Sequence, residues 1–461
     1  MNFSRLATTN IHRSVFKDKP RRLMSFNGGD LVPMFVDEVY PGDTYKINTK
    51  LFCRFSSPLV APIFDNLYID TFWFFVPNRL LWSHWVNFMG ESDTPYDPDT
   101  PSSTDYLVPT VTAPSGGFGF KSLADYLSIR PNVSNLEVSS LPFRAYNLIY
   151  NEWFRPEDII DSVVVPSGDS DDINNYSILK RAKRFDYFTS CLPWPQRGPS
   201  VNLPLGSSAN IYTSDGNSVS LTLDGNSATN NGMHVKLSKD STYRDNYIYN
   251  INNSYNINGQ ASGNAGTRGG TLYADLSTAS ASTVTELRNA FQVQKLYERD
   301  ARGGTRYTEI LRSHFGCVSP DSRLQRPEYL GGSSSRMMIN TVVQNSSTDT
   351  TSPQGHLTAF GVGGSNTHGF SKSFVEHGWI IGLVNVRCDL TYQQGVPRMF
   401  SRSTRLDYYW PTFAHLSEQP VLRKEIFAQG TDADDEVMEK LLKCLSIHSG
   451  LRLRTVLGKI R

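Results

Sequence analysis

The sequence predicts a mainly β protein with helices in the connections between strands. The first indication is residues 67–76, where nearly every side chain is β-branched or aromatic. Pro77 ends this run, since proline cannot donate a ladder hydrogen bond. The pattern predicts a central strand covered on both faces. The second indication is that helical periodicity is confined to a few segments, separated by short strand-like runs and clusters of Gly, Pro and Ser.

Strand-like runs lie on both sides of the central strand. Residues 31–40 and 44–55 flank Pro41-Gly42-Asp43, a turn sequence that predicts a hairpin leading into the central strand. Further strands are predicted at residues 379–392 and 406–410. Residues 91–114, rich in Pro, Asp, Ser and Thr, are expected to form a long surface loop.

Four helices are predicted from apolar residues at helical spacing. They cover residues 81–89, closed by Gly90; residues 142–154, with Pro156 after them; a segment from Thr283 to about residue 304; and a segment from Thr305 to Gly316. Thr283 and Glu286 fit a capping box at the start of the third helix. The ERDARGGTRYTE sequence between the last two helices is expected to hold this corner together or to contact another subunit.

Composition limits the function classes. Lys and Arg number 45 against 44 Asp and Glu, so the net charge of +1 excludes a bulk polyanion-binding composition, and any nucleic-acid contact must come from a local patch. Charged residues make up only 19%, while Tyr (22) and Phe (25) are abundant. A surface low in charge and rich in aromatics suits a protein that buries much of it against partners.

No catalytic, cofactor-binding or metal-ligating residues are predicted. The sequence has no HExxH, no GxSxG elbow and no nucleotide-binding glycine loop, so an enzyme is disfavoured. The five cysteines show no CxxC spacing, which indicates neither a zinc site nor a disulfide framework and favours synthesis in a reducing compartment. The N-terminus has no apolar signal core and no apolar stretch is long enough to cross a bilayer, so no membrane insertion is expected.

Basic side chains concentrate in residues 1–30, which are predicted to form an N-terminal arm. The candidates for contact with DNA are Arg5, Arg13, Lys17, Lys19, Arg21 and Arg22. A solvated tail and an arm that crosses a neighbouring subunit remain alternatives. For the second basic cluster, KRAKR at residues 180–184, a solvated surface patch is favoured over a phosphate site.

Residues 206–282 differ in composition from the rest of the chain. Asn, Ser, Thr, Gly and Tyr dominate, and short alternations of apolar and polar residues predict a small β-rich surface insertion. A long insertion in a compact fold is usually functional. The mixture of rigid aromatics and adaptable polar groups favours recognition, and the receptor-contact candidates are Tyr243, Tyr247, Tyr249 and Tyr255.

Eight long motifs, in order over residues 11–437, carry a resemblance to a known family. They are IHRSVFKDKP, FNGGDLVPMFVDEVYPGDT, DTFWFFVPNRLLWSHWVNFMGE, LPFRAYNLIYNEWFRPE, FTSCLPWPQRGP, QVQKLYERDARGGTRYTEILRSHFG, SPDSRLQRPEYLGG and FAHLSEQPVLRKEIFAQGTDADDEV. In these motifs the sequence resembles the major capsid proteins of the Microviridae, in the gokushovirus branch of small tailless phages. Residues 438–461 depart from the family pattern, and a shifted reading frame or a truncated product would explain the change.

The resemblance implies an eight-stranded viral jelly roll with long helical and loop insertions. The core would comprise residues 31–205 and 283–437, with residues 206–282 as a protrusion at the three-fold axes. The resemblance further implies a homo-oligomeric T=1 shell of sixty copies around circular single-stranded DNA. Its expected partners are an internal scaffolding protein, a small basic DNA-binding protein, a minor pilot or spike protein and a bacterial surface receptor.

The expected location is the virion, after assembly in the host cytoplasm. The alternative, from another class of function, is a β-rich carbohydrate-binding or carbohydrate-cleaving protein whose Tyr- and Asn-rich loop grips glycans. Cleavage would require two carboxylates across a cleft, and the sequence nominates no such pair.

Overall fold

The computed structural model describes residues 12–60, 63, 65–91, 106–192, 194, 196–201, 284–350, 353–367, 369–389, 391–413 and 420–437, and the backbone of five short strands between residues 210 and 275. The chain forms two compact units. The first unit comprises Met1–Pro195 and Asp300–Arg461, and the second comprises Gln196–Arg299.

The described residues of the first part of the chain form six strands and four helices. In chain order they are β1 (Val32–Val39), β2 (Thr44–Lys46), β3 (Thr49–Arg54), β4 (Leu67–Pro77), α1 (Asn78–Leu81), α2 (Trp85–Phe88), β5 (Thr110–Thr112), α3 (Leu123–Tyr126), β6 (Glu137–Ser139) and α4 (Leu141–Ile149). Helix α4 continues as a π-helical segment, Tyr150–Phe154, and a 3-10 turn follows at Ile173–Asn175.

The second part begins with the short strands of the insertion. They are β7 (Asn210–Tyr212), β8 (Met233–His234), β9 (Tyr247–Ile251), β10 (Ser254–Ile257) and β11 (Tyr273–Asp275). Then come α5 (Val284–Gly303), α6 (Tyr307–Ile310) with the π-helical turn Leu311–Phe315, β12 (Glu328–Val343), β13 (Leu357–Thr367), β14 (Ser371–Ser373) and β15 (Gly378–Cys388). Five 3-10 turns complete the described chain: Arg398–Ser401, Arg405–Asp407, Pro411–Phe413, Arg423–Glu425 and Asp432–Asp435.

Six strands form an antiparallel sheet in the order β1-β15-β4-β12-β13-β3. Strand β4 lies between β15 and β12 and is buried along nearly its whole length, which confirms the predicted central strand. The long strand β12 changes partner along its course, because Glu328 to Met337 pair with β4 and Met338 to Val343 pair with β13. The fold is therefore mainly β, as the sequence predicts.

The predicted hairpin at residues 31–55 is wrong, although its turn is present. Gly42 has a φ of 92°, and the Asp43 N–H donates to the Tyr40 carbonyl at 3.1 Å. However, β1 pairs with β15, β2 with β14 and β3 with β13. Turn residues specify a reversal of the chain but not which strand edges bond, and here strands far along the chain take those edges.

The predicted helix over residues 81–89 is two single turns, α1 and α2. Trp82 between them has an extended backbone, and its Nε1 donates to Asp169 at 2.6 Å. The backbone N–H of Ser83 donates to the Ser167 carbonyl at 2.9 Å. These bonds to a distant loop replace the hydrogen bonds that would continue the helix, so tertiary contacts override the periodicity.

The other predicted elements give mixed outcomes. Helix α4 with its π-helical extension, helices α5 and α6, and strand β15 confirm four predictions. The predicted strand at residues 406–410 is wrong, because its first residues belong to the 3-10 turn Arg405–Asp407. The predicted loop over residues 91–114 contains strand β5, whose Val111 is buried, and residues 92–105 lie outside the described residues.

Helix α4 packs on the sheet and forms the largest apolar cluster with it. Phe143, Tyr146 and Ile149 on the helix are fully buried, together with Phe74 and Ile381 from the sheet. No helix in the described part of the chain is both long and apolar enough to cross a membrane.

Helix α4 also contributes a fully buried ion pair between Arg144 and Asp171. The Arg144 guanidinium donates to the Asp171 carboxylate at 2.5 and 2.9 Å, and to the carbonyls of Leu81 (2.9 Å) and Gly168 (2.7 Å). The Tyr176 hydroxyl donates to the other oxygen of Asp171 at 2.5 Å. A buried pair whose remaining polar atoms are hydrogen-bonded is costly to break from one side.

Replacing Arg144 with Met should lower the free energy of unfolding by about 3–5 kcal/mol, because Asp171 would stay buried without its counter-charge. The matched control is Arg79→Met, at the partly exposed pair with Glu376, for which we expect a loss of at most about 1 kcal/mol. Urea denaturation followed by tryptophan fluorescence measures both. Equal losses for the two variants would contradict this role of the Arg144 network.

Candidate functional site

The predicted DNA-contact residues lie on an N-terminal segment without regular secondary structure. From His12 to Arg21 every residue is exposed, including Arg13, Lys17 and Lys19. Phe16 is 90% exposed, so an aromatic face accompanies these basic side chains. The first candidate, Arg5, lies outside the described residues. The described arm therefore presents positive charge and one ring to its surroundings.

Arg22 differs from the other basic residues of the arm because it is half-buried. Its guanidinium donates to the Asp125 carbonyl at 2.5 Å, and burial lowers the pKa of Arg22 below its usual value despite the nearby charge of Asp125. Met24 and Phe26 pack against the apolar cluster around Val32. Arg22 therefore sits at the point where the exposed arm becomes attached to the body of the subunit.

The insertion residues are described only through the backbone of its strands. Strand β9 contains Tyr247 and Tyr249, and strand β10 contains Tyr255. In the register of β9 and β10, Tyr255 lies opposite Asn250, and Tyr249 lies opposite Asn256. Because successive residues of a strand alternate between the two faces of a sheet, Tyr255 and Tyr249 belong to opposite faces. Tyr243 lies outside the described residues.

The basic cluster at residues 180–184 is not simply a solvated patch. Arg181 and Arg387 both donate to Asp70 Oδ2, at 2.5 and 2.8 Å. Burial alone would raise the pKa of Asp70, but hydrogen bonds from Ser334 and the two arginines lower it below its usual range. The Arg181 guanidinium lies 4.8 Å from the centre of the Phe72 ring. Arg181 thus ties this segment to the central strand.

The corner between α5 and α6 is bridged by Asp300 and His314 at 2.7 Å, whereas Arg306 in the intervening loop binds a different part of the chain. The Arg306 guanidinium donates to the carbonyls of Asn151 (2.6 Å), within the π-helical segment, and of Arg155 (2.9 Å), directly after it. It also pairs with Glu157 at 2.8 Å and with Glu309 at 3.1 Å. The Arg306 side chain therefore joins two helical segments that lie about 150 residues apart in the chain.

Two carboxylates share the charge of Arg306. Burial and a hydrogen bond with Glu309 raise the pKa of Glu157 to about 7, while the charge of Arg306 offsets only part of the rise. The Thr305 N–H also donates to Glu157 at 2.9 Å. Glu157 was not singled out from the sequence, and the only signal was its place in the FRPE motif after a predicted helix.

Other chemical sites are sparse in the described part of the chain. No group of three or more His, Cys, Asp or Glu residues there could hold a metal ion. Cys53, Cys191, Cys317 and Cys388 are free thiols, and Cys444 lies outside the described residues. Burial raises the pKa of the Cys53, Cys191 and Cys388 thiols, which makes them poor nucleophiles.

Comparisons with known proteins agree with the resemblance found in the motifs. The profile of the family described as "Capsid protein (F protein)" matches residues 4–441. Capsid protein VP1 of Bdellovibrio phage phiMH2K is 45% identical over 447 residues, covering 95% of this chain and 80% of the relative. Capsid protein VP1 of Chlamydia phage 1 is 40% identical over 488 residues, and that of Spiroplasma virus 4 is 34% identical over 459 residues, with the same coverage. All three relatives are named capsid proteins and none is named an enzyme.

Replacing Glu157 with Gln should change how stability depends on pH. The folded protein binds a proton at Glu157 up to about pH 7, whereas the unfolded chain releases it near the ordinary value of 4.5. Stability from this group is therefore present below the unfolded pKa and is lost as the pH rises through the folded pKa. We expect the Tm of E157Q to match that of the wild type near about pH 4 and to exceed it near about pH 8.

Thermal unfolding measured across this pH range tests the expectation. The control is Glu376→Gln, in the more exposed pair with Arg79, which shows how much the Tm changes when a carboxylate nearer the surface is removed. A constant difference between E157Q and the wild type would show that Glu157 does not take up a proton on folding.

Proposed function

Because the chain belongs to the capsid protein (F protein) family, together with capsid proteins of gokushovirus-type Microviridae, we propose that it is the major capsid protein of such a phage and that sixty copies close a T=1 shell around circular single-stranded DNA. As a member of a structural family, the chain is a component of the virion and not an enzyme. Assembly would take place in the host cytoplasm. The three relatives are named capsid proteins, which favours this proposal over the carbohydrate-binding or carbohydrate-cleaving alternative.

The order of strands is the observation that carries the proposal furthest. In an eight-stranded jelly roll, the first, eighth, third and sixth strands form one sheet, and the second and seventh strands pair in the other. The order β1-β15-β4-β12 and the pair β3-β13 support this scheme, although here the second half of β12 also pairs with β13 and joins all six strands in one sheet. The fourth and fifth strands would then fall between β4 and β12, the interval that also carries residues 206–282.

Exposed apolar side chains support burial against further copies of the chain. Phe52 on β3, Met338 on β12 and Val375 after β14 are more than 70% exposed, as are Phe16 and Leu23 on the arm. We infer that neighbouring copies of the chain cover these side chains in the assembled shell. Closed symmetry allows one repeated set of contacts to complete a shell.

The arm supplies the proposed contact with the packaged DNA. Arg13, Lys17, Lys19 and Arg21 are exposed and close together in the chain, and contacts to phosphates need only positive charge. With a net charge of +1, the subunit itself neutralises little of the genome. A small basic protein would therefore supply most of the positive charge, while an internal scaffolding protein and a minor pilot or spike protein complete the assembly.

Co-expression with these viral partners should yield closed particles of T=1 size by electron microscopy. Replacing Arg13, Lys17, Lys19 and Arg21 with Ser should leave the particles intact but lower their DNA content, measured as the ratio of absorbance at 260 and 280 nm. The control replaces four exposed basic residues elsewhere with Ser, namely Lys121, Arg130, Arg312 and Arg323. A protein that stays monomeric by light scattering would refute the shell, and equal DNA content in both variants would exclude the arm.

Residues 206–282 are proposed to recognise the bacterial receptor through a polar, tyrosine-rich surface. Replacing them with a short Gly/Ser linker should leave assembly intact and abolish adsorption to host cells. The point variants Tyr247→Ala and Tyr249→Ala distinguish a specific receptor contact from the loss of the whole insertion, because a specific contact lowers adsorption in these variants too. The control is Tyr307→Ala in α6, which should adsorb like the wild type. Normal adsorption by linker particles would refute the attachment role, and a failure to assemble would show that the insertion builds the shell.

A further inference from the structure

Residues 398–410 combine arginines with exposed aromatic rings after the last strand of the sheet. Their sequence, RMFSRSTRLDYYW, contains three arginines and a single acidic residue. Phe400, Tyr408 and Tyr409 are 71%, 55% and 76% exposed. In a chain of net charge +1, this segment is a local positive surface that displays flat apolar groups.

The shape of this segment is fixed by hydrogen bonds that do not bury the rings. The Asp407 carboxylate accepts the backbone N–H groups of Ser403 (3.0 Å) and Thr404 (2.7 Å). The Trp410 Nε1 donates to the Arg405 carbonyl at 3.0 Å. The only acidic side chain of the segment is thus engaged with the loop's own backbone. Arg398 pairs with Glu425 at 3.9 Å, which leaves the charges of Arg402 and Arg405 uncompensated.

Two arginines lie over aromatic rings in the same segment. The Arg402 guanidinium is 5.5 Å from the centre of the Tyr408 ring, and that of Arg405 is 4.7 Å from the centre of the Trp410 ring. Within the part of the chain that the structure describes, neither arginine forms an ion pair. Stacking holds a guanidinium in place while its N–H groups stay available to an anion.

Acidic residues that follow in the chain are occupied by contacts of their own. Asp435 pairs with Lys424 at 2.6 Å, and Asp434 accepts the backbone N–H groups of Gln429 and Gly430. A second copy of this chain would therefore have to break its own contacts to offer these carboxylates. The charges of Arg402 and Arg405 and the exposed aromatic rings better match a partner that is anionic along its whole length and carries planar groups.

We propose that Arg402, Arg405, Tyr408 and Tyr409 form a platform that binds single-stranded nucleic acid. The guanidinium groups contact phosphates, and unpaired bases stack on the tyrosine rings, which requires no particular sequence. A duplex would offer the charge but not the base faces. The inference rests on the proposed function, since a shell that packages single-stranded DNA provides this ligand.

Binding of labelled oligo(dT) and of an equally long abasic oligomer to the full-length protein tests the platform by fluorescence anisotropy. Y408L/Y409L should bind oligo(dT) about tenfold more weakly and the abasic oligomer equally well, because only stacking is lost. R402Q/R405Q should weaken binding of both oligomers and reduce its salt dependence. The control, Tyr307→Leu with Phe315→Leu, removes two rings of similar exposure and should change neither affinity.

Several outcomes would overturn the platform. They are equal affinity of wild type and Y408L/Y409L for oligo(dT), no preference of the wild type for bases over abasic sites, or no binding at about 50 mM salt. Unchanged oligonucleotide affinity with lost particle formation would assign the surface to a contact between subunits. A failure of the proposed function itself is distinguishable, because the wild-type protein would then form no DNA-filled particles.

Discussion

Strand β15 is the constraint on which the sheet depends, because it lies between β1 and β4 and bonds to both. All of β4, from Leu67 to Pro77, pairs with β15, and all of β1 has its sheet partner there. Close approach is built into its sequence, since a Cβ at Gly382 would lie 2.7 Å from the Trp73 ring. Without β15, the first strand of the core would have no neighbour in the sheet.

Helix α4 turns this sheet into a layered core by making polar as well as apolar contacts. The Tyr146 hydroxyl donates to the Leu31 carbonyl at 2.7 Å and accepts the Leu179 N–H at 3.0 Å. Two residues earlier, Arg144 binds the end of α1 and the loop that carries Asp171. The Tyr146 hydroxyl and the Arg144 guanidinium are buried, and each forms more than one hydrogen bond. A single arrangement of the connections around the helix satisfies all of these hydrogen bonds. Rigid connections of this kind can carry an exposed arm and a long insertion.

The sequence sufficed for features that are local and strongly patterned. The run at 67–76 identified the central strand and apolar spacing identified α4, because burial of one face dominates in these two segments. The same spacing located α5, although Ala301 is the one buried residue of that helix. It failed for the hairpin at Pro41-Gly42-Asp43, since the pairing of β1 with β15 is set by strands more than 300 residues away. For the candidate sites, the exposed arm followed from charge alone, whereas the anchoring of Arg22 on the Asp125 carbonyl and the sharing of Arg306 by two carboxylates need the tertiary fold.

The pairing of β4 with β15 also has a consequence in time. About 300 residues separate Pro77 from Gly378, and a ribosome adding about 5–20 residues per second needs about 15–60 s to make them. During this interval the apolar strand β4 is complete in the nascent chain, but its neighbour β15 has not yet been synthesised. The pairing of β4 with β15 can therefore form only after Cys388 has been synthesised, and the apolar side chains of β4 need another cover until then.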